Sequence, residues 1–226
     1  GLGFNIHIFP EGQDLSEVYE QGFASKTMPE EFVTRLATSN IVTVNHLLPM
    51  LTHATQWPEY KRKIVLIGIR GEVPKSHGQQ KKPLLNPGGE GELVLGYELH
   101  NSLGLKVGDK VKLKGREFTI RTCHSERGTK DDITVWMNLA VAQEMFGKEG
   151  QIKSIMALEC NCATVDSLSE VRAELGAILP GTKIIEQESK ALARAEARHM
   201  AKVAAQKQIS AMKTNRQQLK DKRESL

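Results

Sequence analysis

From Thr182 to Leu226 the chain contains neither glycine nor proline. Alanine, lysine, arginine, glutamine and glutamate dominate there, and all of them favour helix. From Glu188 to Leu226 ten basic residues stand against four acidic ones, a net +6, while the whole chain carries +4. The remainder is therefore close to −2, so the basic character belongs to one segment. A helix of about 38 residues there would be about 57 Å long. Ala197, Ala201, Ala205, Ile209, Met212 and Leu219 give it only a thin apolar stripe. That stripe is too narrow for a core face, so the helix is expected to lead away from the globule.

The breakers missing from the tail collect elsewhere. Glu72 to Gly91 holds Pro74, Pro83, Pro87, Gly78, Gly88, Gly89 and Gly91, the composition of a loop. It divides two patterned regions. In the first, Phe4, Ile6 and Ile8 alternate with Asn5, His7 and Phe9 as in a strand that Pro10-Glu11-Gly12 ends. Asp14 with Glu17 resembles a capping box. Pro29 is expected in the first turn of a second helix, with Val33 and Leu36 inside. Strands are predicted over Ile41–Leu48 and Lys63–Ile69, the latter apolar enough to be covered on both faces.

In the second region Glu92–Leu95 reads as a strand and Tyr97–Leu103 as a helix stopped by Gly104. Lys110–Leu113 and Glu117–Cys123 form a hairpin about Lys114-Gly115-Arg116. Ile133–Met137 is a strand, and Leu139–Phe146 a helix between Asn138 and Gly147. Lys153–Cys160 resumes a strand. Thr164–Leu179 is an amphipathic helix stopped by Pro180-Gly181, with Ile184-Ile185 after it.

These elements predict an α+β fold with two lobes. A porter-like α/β lobe comes from both chain ends, residues 1–72 and 151–187. A linker loop spans 73–90. A small α+β lobe, 91–150, is inserted, and a long basic helix occupies 188–226.

No apolar run reaches the roughly 20 residues that cross a bilayer. A chain opening Gly1-Leu2-Gly3 reads as an excised or processed piece. Three cysteines are too few for a disulfide scaffold.

No catalytic set is expected. There is no Gly-Lys-Ser/Thr phosphate loop, no His-Glu-x-x-His and no Gly-x-Ser-x-Gly. Gly88-Gly89-Glu90-Gly91 reads as a loop. Cys160 and Cys162 with Cys123 and His124 are the one set of soft ligands, but they fall in different lobes, so no metal is expected. Asp131, Asp132 and Glu126 read as a solvated loop beside Arg127 and Lys130. Lys190, Arg194, Arg198 and Lys202 recur every four residues as a basic stripe. A solvated helix face and attraction to anionic headgroups both account for it. With aromatics at 5%, no base-stacking platform accompanies the charge, which places nucleic acid third.

Gly91–Ile120, GELVLGYELHNSLGLKVGDKVKLKGREFTI, resembles the central segment of MacB-like periplasmic domains. LGFNIHIFPEG (Leu2–Gly12) resembles the stretch after the first transmembrane helix in MacB/FtsX-like ABC-transporter permeases. KIVLIGIRGEVP (Lys63–Pro74) resembles that family's strand leading out of the first lobe. The resemblance implies an extracytoplasmic domain between two membrane helices of a permease, on the periplasmic face of the inner membrane. Two permeases pair, an ABC ATPase drives them from inside, and a periplasmic partner or cargo protein is met outside. Family members expel drugs, peptides or toxins, extract lipoproteins, or switch on cell-wall hydrolases. The 72–91 loop and the long tail leave that choice open. The resemblance implies no enzyme activity and no cofactor in this domain. The alternative is a soluble interaction module whose basic helix binds nucleic acid or a partner coiled coil.

Overall fold

A computed structural model describes residues 4–75, 82–85, 88–159, 167–186 and 206. Residues 4–187 make one compact unit. The predicted terminal helix and its basic stripe lie outside the described residues.

In chain order the elements are β1 (Ile6–Phe9), α1 (Leu15–Gln21), β2 (Met28–Pro29), α2 (Glu31–Thr38), β3 (Val44–Trp57), β4 (Arg62–Ile69), β5 (Glu92–Leu95) and α3 (Tyr97–Leu103). Then come β6 (Lys110–Leu113), β7 (Arg116–Cys123), β8 (Thr134–Asn138), α4 (Leu139–Phe146), β9 (Gln151–Ile152), β10 (Ser154–Glu159), α5 (Ser167–Ile178) and β11 (Lys183–Glu186). Nine strands form one mixed sheet in the order β11-β1-β10-β3-β4-β8-β5-β7-β6, and β2 pairs separately with β9. This is the α+β class that the sequence leads to. Strands from the two ends of the chain adjoin at one side of the sheet, and β5 to β8 adjoin at the other. Parallel pairing of β4 with β8 joins the two groups.

Partners across a ladder share a face. Ile8 opposite Ile155, Leu51 opposite Gly68 and Leu66 opposite Val135 therefore line one side of the sheet. That side is the core: Ile8, Leu51, Leu66, Val135 and Ile155 are fully buried. Three helices cover it. Helix α2 contributes Val33, Leu36 and Ala37, and α4 contributes Leu139, Val141 and Ala142. Helix α5 presents Val171 and Leu175, followed by Leu179. Gly68 is required where α4 crosses β4, since a Cβ there would sit 2.3 Å from the Ala142 Cβ. The opposite side is sparsely covered. Val65 and Ile67 on it are only half-buried, so β4 is sealed on one face and not on both.

Local signals fix several ends as expected. Gly104 and Gly147 close α3 and α4 in the left-handed conformation, and Asn138 Oδ1 caps α4 at Ala140 N–H. Lys114 and Gly115, both at positive φ, turn β6 into β7, with Leu113 paired to Arg116.

Three further expectations need correcting. Asp14 does cap α1, accepting from Ser16 N–H at 2.8 Å. Glu17 does not complete a capping box; its carboxylate accepts instead from Ser25 Oγ and Gln13 Nε2. Pro29 lies in β2, paired with Gln151, and Glu30 starts the helix. The strand predicted to end at Leu48 runs on to Trp57. Pro49 is tolerated because β10 flanks it on one side, while on the other the ladder is interrupted between Met50–Ile69 and the Leu47–Glu72 bridge. The missing proline N–H falls in that gap.

Candidate functional site

Two features stand out: a cleft on the open side of the sheet, and a polar brace across its middle.

The cleft lies under α1. That helix buries none of its own residues, so it rests on the sheet without closing against it. Hydrogen bonds hold it in place: Gln13 Oε1 accepts from Lys26 N–H at 2.9 Å, and Lys130 Nζ donates to Gln21 O at 2.6 Å. Below it is a cavity of about 240 Å³. Phe9, Phe23, Met50 and Met156 form much of its wall, with Tyr19 at the rim, 76% exposed.

His7 supplies a polar wall. Its Nε2 is buried without a hydrogen-bond partner among the described residues. Burial lowers its pKa to about 4, so the imidazole is neutral near pH 7. Lys153, 7% exposed, places its ammonium 5.3 Å from the Phe23 ring centre. Burial, with help from Lys148, pulls the Lys153 pKa down. Apolar walls with a few polar groups suit the capture of a side chain or small amphipathic group.

The brace is centred on Glu30 and Arg70. Arg70 Nε meets Glu30 Oε1 at 2.8 Å, and its Nη1 meets Glu72 at 2.7 Å. Gln143 Nε2 from α4 donates to Glu30 Oε2 at 2.7 Å and to Gln151 O at 3.0 Å. Glu30 N–H donates to Gly150 O at 2.8 Å. The start of α2, the end of β4, α4 and the turn before β9 are thereby fastened together. Nothing local in the sequence marks this cluster, because Glu30 and Gln143 are 113 residues apart.

The positions singled out in sequence divide as follows. Cys160 and Cys162 lie outside the described residues, as do Lys190, Arg194, Arg198 and Lys202. The Cys123 thiol is half-buried, and burial raises its pKa, with a smaller push from Asp109. His124 meets the Trp136 ring edge-on at 5.1 Å, and burial, then Arg127, lowers its pKa. Asp132 accepts from the N–H groups of Arg127 and Gly128, and Asp131 pairs with Arg127 at 2.7 Å. These carboxylates organise a loop. Glu92 Oε2 accepts from Gly89 N–H, which occupies an amide of the glycine-rich loop. Among the described residues no three His, Cys, Asp or Glu side chains gather as a metal site would require, and no helix is long and apolar enough to cross a membrane.

No family model matches the sequence, and none of the curated proteins does. Solved structures do match the fold. One is the periplasmic region of MacB from Actinobacillus actinomycetemcomitans, at 11% identity and a TM-score of 0.52, over 81% of this chain and 89% of that one. Another is the extracellular domain of the noncanonic ABC-type transporter YknZ from Gram-positive bacteria, at 15% identity and a TM-score of 0.54, over 81% and 100%. At these identities the likeness is one of fold. The chain has the α+β fold of the periplasmic region of MacB and of the extracellular domain of YknZ.

Proposed function

We propose that this chain is the extracytoplasmic domain of an ABC-transporter permease, a module that meets cargo or a partner protein outside the membrane and relays ATP-driven movement. It makes and breaks no bonds itself. The observation that carries this reading is the pairing of β1 with β11, which puts Ile6 opposite Glu186. The chain thus enters and leaves the fold at one place, as a domain held between two consecutive membrane helices must. The fold shared with the MacB and YknZ domains supports the same reading.

In this account residues 1–72 and 151–187 form the membrane-proximal lobe and 91–150 the inserted lobe, with 73–90 linking them. The Glu30–Arg70–Gln143 brace passes force between the two lobes as a packed, hydrogen-bonded unit. Segment 188–226 leads to the membrane. Its Lys190, Arg194, Arg198 and Lys202 face anionic headgroups, each adding about 1 kcal/mol of attraction. A second permease subunit and a separate ATPase complete the machine.

The test is replacement of residues 4–187 by a short flexible linker in the intact protein. ATP hydrolysis by the assembled complex is expected to persist while its transport or partner activation is lost. If transport survives at the normal rate, the domain relays nothing.

A further inference from the structure

Within residues 4–187 two hairpin tips meet at one end of the sheet. The β3–β4 turn and the β6–β7 turn are far apart in sequence but fastened together. Trp57 Nε1–H donates to Lys112 O at 2.6 Å. Both oxygens of Glu59 accept from the second tip, from Gly115 N–H at 2.7 Å and Lys114 N–H at 3.3 Å. This docking brings the chain at the exposed Lys61, Arg62, Lys112 and Lys114 together, with the Lys114 ammonium 5.5 Å from the Phe146 ring centre.

The charge of the paired tips is only partly offset, by the Glu59 carboxylate between them. None of the four forms an ion pair among the described residues. Of the nearby carboxylates, Glu117 pairs with Lys110 and Glu144 with Arg116, while Glu59 holds the backbone of the second tip and offsets part of the Lys112 charge. The docked tips carry four basic residues although residues 1–187 as a whole are near −2. Exposed single-sign patches of this kind steer and select oppositely charged partners.

From these observations we infer that the paired tips are a docking surface for an acidic polypeptide segment. This rests on the permease reading above, which excludes lipid by position. Leu47 of β3 is level with Ala157 and Ile6, where the chain enters the fold. Trp57 lies ten positions further along the strand, about 33 Å away at 3.3 Å per residue. The patch therefore stands at the far end from the membrane attachment. Nucleic acid is disfavoured because Trp57 is fully buried and offers no stacking face.

The test uses the full chain labelled with nitrogen-15 and titrated with a glutamate-rich peptide, with a neutral peptide of equal length as reference. The two indole N–H signals report separately, Trp57 from beneath the patch and Trp136 from the sheet. The Trp57 signal is expected to move with the acidic peptide while Trp136 stays still. Affinity should fall at least tenfold in Arg62→Glu/Lys112→Glu. It should be retained when Lys190, Arg194, Arg198 and Lys202 are all changed to alanine. Should the reversal disturb the free protein's indole signals, Lys61→Gln/Lys112→Gln replaces it, with a loss of at least threefold expected.

A static Trp57 signal, or equal affinity in the patch variants, would overturn the inference. So would tighter binding of phosphatidylglycerol vesicles through the same four residues. Failure of the permease reading would show elsewhere, in the membrane fractionation of the intact protein.

Discussion

Ile6, at the start of the first strand, pairs across an antiparallel ladder with Glu186, at the end of the last. The two ends of this fold are therefore neighbours, and the sheet between them is built from the interior of the chain. Closing residues 4 and 187 with a short Gly/Ser linker and opening new ends between Lys148 and Glu149, in an exposed turn, should leave the fold intact. Circular dichroism of that permutant, with its tail removed, should show a single cooperative thermal transition. A non-cooperative melt would mean that the pairing at the ends is not what the strand register implies.

Gly68 marks where α4 crosses the sheet at closest range. Gly68→Ala forces its methyl to within 2.3 Å of the Ala142 Cβ. A destabilisation of about 1–3 kcal/mol is expected, the usual range for overpacking. Ala142→Gly in the same chain should recover part of it despite the helix penalty of glycine, because the two sites are in contact. Urea denaturation of the four proteins measures both numbers.

Acid should weaken the fold through His7. Its pKa is about 4 in the folded chain against an ordinary value of 6.5. Below pH 6.5 the unfolded chain takes up a proton that the folded chain refuses, so stability falls from pH 6.5 to about 4 and then levels. The full loss from this one residue is about 3 kcal/mol. His53, its ring stacked on Phe146 at 4.2 Å, is also lowered to about 4, by burial first and then by Lys153, Lys148 and Lys114. It is more open to solvent and contributes less. His7→Phe should flatten the stability profile between pH 4 and 6.5, and an unchanged slope would remove His7 from the account.

The brace should show coupling. Arg70→Met leaves Glu30 and Glu72 facing each other without their cation, in a setting where Glu30 is 24% and Arg70 30% exposed. A loss of about 1–2 kcal/mol is expected, less than for a buried pair because water reaches both groups. Glu30→Gln in the Arg70→Met background should cost less than Glu30→Gln alone. Strict additivity in a denaturation cycle would mean that the two residues act independently.

Much of the fold was legible because its punctuation is local. Asn138 and Gly147 bracket α4, Gly104 stops α3, and Lys114-Gly115 turns a hairpin, each within a few residues of the element it governs. The strand end at Leu48, just before Pro49, and the helical reading of Pro29 failed for a physical reason. Proline is excluded only where the sheet needs its N–H, and neither the ladder gap beside Pro49 nor the short β2–β9 pair can be seen in sequence. The features of the candidate site were not legible. Glu30 reads as a helix-start acid, but its partners lie 40 and 113 residues away. Glu59 reaches across 56 residues to Gly115 to bring the basic tips together. The cleft depends on a helix that stops short of the sheet, which periodicity in Leu15, Val18 and Tyr19 does not distinguish from one that packs.

The central claim is that this domain stands outside the membrane, tethered at both ends. It is tested most directly by labelling the intact gene product in whole cells. A cysteine at Val107, which is 62% exposed, should react with a membrane-impermeant maleimide, against a background protein with the native cysteines replaced. The labelled protein should remain in the membrane fraction after carbonate washing. Labelling only after lysis, or recovery of the protein in the soluble fraction, would contradict the account.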